Sequence, residues 1–383
     1  MPDSAKNDTQ FEHAQFEHAM MREIYEQPDA IARTLAHYVQ DGRLNEASFG
    51  KAAEIFRQHK DLIITASGSS RHAGLAAEIM LEDTAGLAVD VEYASEYICR
   101  STNTKRDPAV LVISQSGETG DTLAALREAI ERKHPTMAVT NVAASSMMKE
   151  ADVALPTLAG VEKAIPATKS FTTQLVALRL LSLLAAQARE AISAEELQKQ
   201  LELIAGLPAM VARQLATWQK SAETVAAAYA DVKTLLFLGR GIHYAMAREG
   251  ALKLKESSYI HAEGYPTGEL KHGPNALVSD EVPLVVLATV DRGDAESVLR
   301  YEKTLSLLED MKAQGARTIA IGNSGDHTLA AICSHVIEVE ETNEYLLPMC
   351  EVIPLQMFAY YMALQNGVDV DRPRNLVKSV VRE

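Results

Sequence analysis

The chain has 383 residues, 47% apolar and 23% charged, with a formal net charge of −15 and a pI near 5.3. These proportions fit a globular protein long enough for two ordinary domains. The acidic balance excludes nucleic acid as a main partner, because a phosphate backbone needs a basic face, and it offers no long-range pull on a small anion.

Three scattered cysteines, Cys99, Cys333 and Cys350, have no metal-ligand spacing. They predict no disulfide, no metal site and a reducing cytoplasm. The opening residues lack the basic and apolar regions of a leader, and no uninterrupted apolar run reaches bilayer length. A soluble cytoplasmic chain with no membrane partner is expected.

Residues 1–45 read as an N-terminal helical segment. It holds a polar tandem, Gln10-Phe11-Glu12-His13-Ala14 and Gln15-Phe16-Glu17-His18-Ala19, expected as a frayed extension. Over 22–35 the pattern predicts a turn at Pro28 and then a short helix. Residues 46–192 read as an α/β domain. Short apolar runs at 62–65, 109–113, 136–140 and 153–155 predict four strands, alternating with helices that include 121–132 and the apolar 171–188. Residues 193–228 predict a helical connection broken near Gly206-Leu207-Pro208.

Residues 229–367 repeat the first pattern. The run 234–238 with Gly239-Arg240-Gly241 echoes 62–65 with Gly68; 283–287 echoes the strand before Ser114; 318–323 echoes 136–141. The fold class expected is α/β, two tandem copies of one domain, each a parallel sheet flanked by helices in a flavodoxin-like three-layer sandwich. Residues 368–383 are polar with a proline turn, and taken alone predict a disordered tail.

Two stretches carry chemistry. Ser114-Gln115-Ser116-Gly117-Glu118-Thr119 lies where a strand hands over to a helix, so free backbone N–H groups and the helix dipole meet three hydroxyls and an amide. An ordinary helix cap needs one hydroxyl. Ser67-Gly68-Ser69-Ser70 would face the same crevice. Neither stretch has the glycine and lysine pattern of a nucleotide loop, so the ligand expected is a small phosphorylated molecule, with no cofactor. The second stretch runs from Glu249 to Pro274. Glu249, Lys253 and Glu256 share one helix face, and His272 follows in a Gly-Pro turn. A solvated row of ion pairs would look the same, but small Gly250 and Ala251 suit a close approach of ligand or backbone. Carboxylate, ammonium and imidazole together are equipment for proton transfer.

These motifs, with Thr168-Lys169-Ser170-Phe171-Thr172-Thr173-Gln174 and Asp371-Arg372-Pro373-Arg374-Asn375-Leu376-Val377-Lys378-Ser379, resemble the sugar isomerase (SIS) half of glucosamine-6-phosphate synthase from about Arg22 to the C-terminus. The resemblance implies that Ser69, Ser70, Ser114, Gln115, Ser116 and Thr119 bind the phosphate, with Ile165 and Ala167 beside the sugar. It implies that Glu256 is the base moving a proton between C1 and C2, and that Glu249 and Lys253 position it. It further implies that His272 opens the sugar ring from the neighbouring subunit of a homodimer, and that Lys378 forms a Schiff base under a folded, lid-like tail. Ser67, Ala167 and Pro266-Thr267 depart from the family pattern, which leaves the exact sugar open. The synthase also has a glutamine-hydrolysing domain with an N-terminal cysteine nucleophile, where this sequence opens Met1-Pro2. The expectation is a stand-alone SIS-type glucosamine-6-phosphate deaminase. Alternatives are an ammonia-dependent synthase, a fructosamine-6-phosphate deglycase, or a non-catalytic sugar-phosphate sensor, which would need the DNA-binding element or basic face that the sequence lacks.

Overall fold

The computed structural model describes residues 16–100 and 106–380. The first copy of the N-terminal tandem, and Gln15 of the second, fall outside them. The N-terminal segment is helix α1 (Ala19–Tyr25), helix α2 (Gln27–Tyr38), and the hairpin β1 (Val39–Gln40) and β2 (Arg43–Leu44), turned by Asp41 and Gly42 at positive φ. Pro28 therefore lies inside the first turn of α2, where its missing N–H has no intrahelical partner to lose, and it starts a helix instead of making a separate turn. Helix α1 was not legible because its seven residues are too few to show a period.

The first domain runs α3 (Ala52–Gln58), β3 (Asp61–Ala66), α4 (Gly68–Ala85), β4 (Ala88–Tyr93), α5 (Ala94–Cys99), β5 (Ala109–Ser114), α6 (Gly120–Glu131), β6 (Thr136–Thr140), α7 (Ser146–Glu150), β7 (Val153–Pro156) and α8 (Lys169–Ala188). Helices α9 (Ala194–Ala205) and α10 (Leu207–Ala228) connect it, breaking at Gly206 as read. The second domain runs β8 (Thr234–Gly239), α11 (His243–Ser258), β9 (His261–Pro266), β10 (Leu284–Ala288), α12 (Ala295–Ala313), β11 (Thr318–Asn323), α13 (His327–Ile332), β12 (His335–Val339) and α14 (Leu347–Gln365). Helix α10 belongs to this domain's core, since Trp218 is fully buried and its indole N–H donates to the Glu338 carbonyl at 2.8 Å.

Both sheets are five-stranded and all parallel, ordered β4-β3-β5-β6-β7 and β9-β8-β10-β11-β12. The identical order establishes the duplication. The strands that sequence reading found at the centre, β5, β6, β10 and β11, are buried along their whole length. It missed β4, β9 and β12. These are edge strands with polar, half-exposed residues and no long apolar run. The run at 153–155 is thus the domain's fifth strand, not its fourth.

Helices α8 and α14 are, by length and mean hydropathy (1.3 and 1.2), apolar enough to cross a bilayer, although polar residues interrupt both. They are instead 89% and 94% buried within the fold. Helix α8 packs on α4, α14 on α11, and α4 on α11, so one apolar core runs through both domains. The helices that follow the first strand of each sheet therefore meet face to face.

The tail is ordered across this junction, against the disorder its polarity alone predicted. The Asp371 carboxylate accepts from the Ala19 and Met20 N–H groups at 2.7 and 2.8 Å, capping α1. The Tyr259 hydroxyl accepts from the Arg374 N–H at 2.7 Å, and Gly120 N–H donates to the Val380 carbonyl at 2.9 Å.

Candidate active site

In a sheet of this order the crevice opens where the connections from neighbouring strands diverge, beyond the carboxyl ends of β3 and β5. Residues Ala66 and Ile113 pair across those ends, so the segments at Ser67 and Ser114 leave side by side. Gly68 and Gly117 adopt φ of +54° and +67°. At Gly117 a Cβ would lie 2.2 Å from the Ser145 hydroxyl, so only glycine lets the loop close there. The loop is braced internally: Ser114 Oγ accepts from Gly117 N–H at 3.1 Å and meets Thr119 Oγ1 at 2.9 Å, while Glu118 accepts from Ser146 N–H at 2.7 Å.

The cavity above these turns is lined by Ser67, Ser69, Ser70, Gln115, Ser116 and Thr119. Ile165, Ala167, Lys253 and Glu256 form its far wall, and Leu376, Val377 and Lys378 of the tail cover it. Of the residues expected at the site, Ser114 lies beneath the cavity as a brace, and Glu249 is fully buried behind Lys253. His272 ends a 3-10 turn (Thr267–His272) on the exposed surface and lines no part of this cavity. Strand β9 separates it from the helix that carries the carboxylates, which a reading of the stretch as one helix and turn did not foresee.

The charged row on α11 is not a solvated face. Glu249 and Lys253 are 0% exposed. Gly250 allows the helix to seat on Phe237 and Leu355, whose atoms would lie 2.9 and 3.0 Å from a Cβ; its small size serves packing, not a ligand. Lys253 Nζ sits 2.5 Å from Glu256 Oε2 and 3.4 Å from Glu249 Oε1. Burial alone would lower the lysine's pKa, but Glu256 and Glu249 together raise it, so it stays an ammonium. Burial likewise pushes Glu249 up, and Lys253 with His72 outweighs it, leaving an ionised carboxylate below its usual range. The result is one open carboxylate, Glu256, steered by a dry cation into a cavity lined with hydroxyls.

Three residues that sequence reading missed complete the site. Glu162 accepts from Thr168 and Ser170 N–H groups, both at 3.0 Å, and from Ser170 Oγ at 2.7 Å. It also binds Lys378 Nζ at 2.5 Å, and that ammonium donates to the Ala164 carbonyl at 2.7 Å. Against its burial, Lys378 and these donors hold Glu162 below the usual carboxylate range. Glu23 of α1 grips the same loop through the N–H groups of Lys163 and Ala164 at 2.6 and 3.2 Å, and burial raises its pKa to about 7. The third is His72, whose Nδ1 lies 2.8 Å from Glu249. Nothing in an irregular loop or a single helical histidine marks such residues in sequence.

The paired sheets, the hydroxyl-lined crevice and the ammonium–carboxylate pair above it fit one class, the two-domain α/β folds of phosphosugar-isomerase type. The SIS domain model matches residues 55–184 and 228–365, and the chain belongs to that family. It is 40% identical over 370 residues to glutamine–fructose-6-phosphate aminotransferase [isomerizing] of Chlorobaculum tepidum, and 42% identical over 370 residues to that of Pseudomonas putida. In both cases the match takes 96% of this chain but 59% of the relative, so the chain spans little more than half their length. Among solved structures, the C-terminal domain of glucosamine-fructose-6-phosphate aminotransferase from Francisella tularensis superposes with a TM-score of 0.87 at 36% identity, covering 94% of this chain and 99% of that one. Glucosamine-6-phosphate deaminase from Thermotoga maritima shares the fold, with a TM-score of 0.71 at 23% identity over 94% of this chain and 99% of that one.

Proposed function

We propose that the chain is a glucosamine-6-phosphate deaminase, converting D-glucosamine 6-phosphate and water to D-fructose 6-phosphate and ammonia. The observation that carries this is the Glu256 carboxylate, held by Lys253 on the wall of a hydroxyl-lined cavity. The phosphate takes the turns after β3 and β5, through Ser69, Ser70, Gln115, Ser116 and Thr119. Glu256 removes the C2 proton of the open-chain aldehyde, giving an enolamine, and returns a proton at C1. The product is the C2 imine, which water hydrolyses with loss of ammonia. Lys378 either leaves Glu162 to form an imine with the ketose or stays on it as the latch of the tail.

Burial raises the Cys333 and Cys350 thiols to about 11 and about 12, so neither is an activated nucleophile. Three free thiols and a sugar-phosphate substrate fit a cytoplasmic setting. His272 belongs to this scheme as the ring-opening acid–base of a second copy, since it is exposed and does not line the cavity of its own chain.

The names of the relatives, aminotransferases acting on fructose 6-phosphate, favour a second reading, the same centre run toward synthesis. A coupled assay should measure ammonia and fructose 6-phosphate from glucosamine 6-phosphate, beside a fructosamine 6-phosphate as rival substrate. Equal amounts of both products are expected from the amino sugar. Ammonia at background would end the deaminase reading, and turnover confined to the fructosamine would replace it with a deglycase. Binding without turnover of either would leave a sensor.

A further inference from the structure

We propose that His72 is a positioning residue for this reaction, holding the Glu249 carboxylate that keeps Lys253 on Glu256. The proposal rests on the proton-transfer role of Glu256 given above. Helix α4 begins with the cradle serines and, half a turn later, turns His72 onto α11; the residue is 7% exposed. Its Nδ1 lies 2.8 Å from Glu249 Oε2, and among the described residues Glu249 Oε1 has no hydrogen-bond partner, only the ion pair to Lys253 at 3.4 Å. An ionised carboxylate cannot donate, so Nδ1 carries the hydrogen. Burial keeps the ring below the usual histidine range against the pull of Glu249, which fits a neutral donor. A carboxylate with no exposure needs that donor, because one distant cation does not replace its lost hydration.

The groups facing Glu249 are few: Lys253 on its own helix, and His72 and the Ser69 hydroxyl from α4. Arg248 acts on the His72 side and Glu162 on the Lys253 side. Lys253 divides its charge between Glu249 and Glu256. Without the His72 donor, Glu249 takes up a proton at a higher pH, and Lys253 loses one of the two charges that fix its place. The base then moves, although no residue touching the sugar has changed. His72 thereby ties the phosphate-binding helix to the carboxylate that moves the proton.

The test compares His72→Phe, which keeps a ring but no donor, with His72→Asn, whose amide N–H2 stands near the Nδ1 position. In His72→Phe, kcat for glucosamine 6-phosphate should fall by about 10- to 100-fold while KM stays within about two-fold, as expected when a reacting group is displaced by about an ångström. The acid limb of the kcat profile should move to higher pH, and His72→Asn should restore most of both. If His72→Phe does not fold, His72→Leu against His72→Asn carries the same comparison. Unchanged kcat and limb would overturn the proposal. So would an equal loss at every pH that asparagine does not repair. A wild type inactive on glucosamine 6-phosphate would sink the deaminase reading alone. The 13C carboxylate titration of Glu249, assigned by its absence in Glu249→Gln, would then decide: a higher pKa in His72→Phe supports the role, and an identical one removes it.

Discussion

At the scale of single residues the site is a problem in burying charge. Lys253 has no solvent to return to, so it is held by carboxylates on both sides. Lys253→Met should cost about 3–5 kcal/mol in chemical denaturation, because it leaves Glu249 buried without its cation. Replacing Glu249 and Lys253 together by apolar residues should cost less than Lys253→Met alone, since no orphan charge remains. An equal or larger loss in the double variant would contradict this. The residue types were legible in sequence, because Glu249, Lys253 and Glu256 recur at helical spacing. Their burial was not, since a solvated row of ion pairs has the same spacing. What separates the two is Gly250, whose missing Cβ lets the helix sit on Phe237 and Leu355.

At the scale of elements the tail is where polarity alone pointed to disorder, while the family resemblance implied the folded tail. Residues 371–379 are polar, yet they are pinned through backbone groups and single side chains that no periodicity encodes. Asp371 is the main pin, closing the N-terminus of α1. Asp371→Ala should cost about 1 kcal/mol, the usual worth of a helix cap, read from the denaturation midpoint. It should also quicken proteolysis near Arg374, and unchanged cleavage would show that the tail is held elsewhere. The central strands were legible for the opposite reason. Strands covered on both faces must be apolar throughout, whereas β4, β9 and β12 lie at edges and mix charges into their pattern.

Across the whole molecule, duplication supplies two crevices, and among the described residues only the first is lined with hydroxyls, as the proposed phosphate cradle. The second, beyond β8 and β10, is filled by the protein's own carboxylates. There Glu344 accepts from Ser297 Oγ at 2.5 Å and Arg300 Nε at 3.0 Å, and it pairs with His243 Nε2 at 3.3 Å. Glu351 pairs with His243 Nδ1 at 2.7 Å and accepts from Thr289. Burial alone would raise Glu344 and lower His243; His243 with Ser297 and Arg300 outweighs the first, so Glu344 falls to about 2, and Glu351 with Glu344 outweighs the second, so His243 rises to about 10. A depressed carboxylate stabilises above its unfolded pKa near 4.5 and loses this as pH falls toward 2. A raised histidine stabilises below 6.5 and loses this as pH climbs past that value. Glu344→Gln should therefore lower Tm most between those limits and least at strong acid, and a pH-independent difference would contradict it.

The cross-subunit role proposed for His272 belongs to this scale too. His272→Ala and Glu256→Gln proteins, each inactive, should regain roughly a quarter of wild-type activity when refolded together, because half the dimers are mixed and each has one intact site. No recovery would confine the chemistry to one subunit.

The proposed reaction depends most on Glu256 as its base. Ammonia release from glucosamine 6-phosphate, measured for the wild type and Glu256→Gln alongside sugar-phosphate binding, tests that most directly. The glutamine variant should bind the ligand as the wild type does while its turnover falls by at least about 10²-fold, the usual scale for loss of a general base. Ammonia release by Glu256→Gln at the wild-type rate would contradict it.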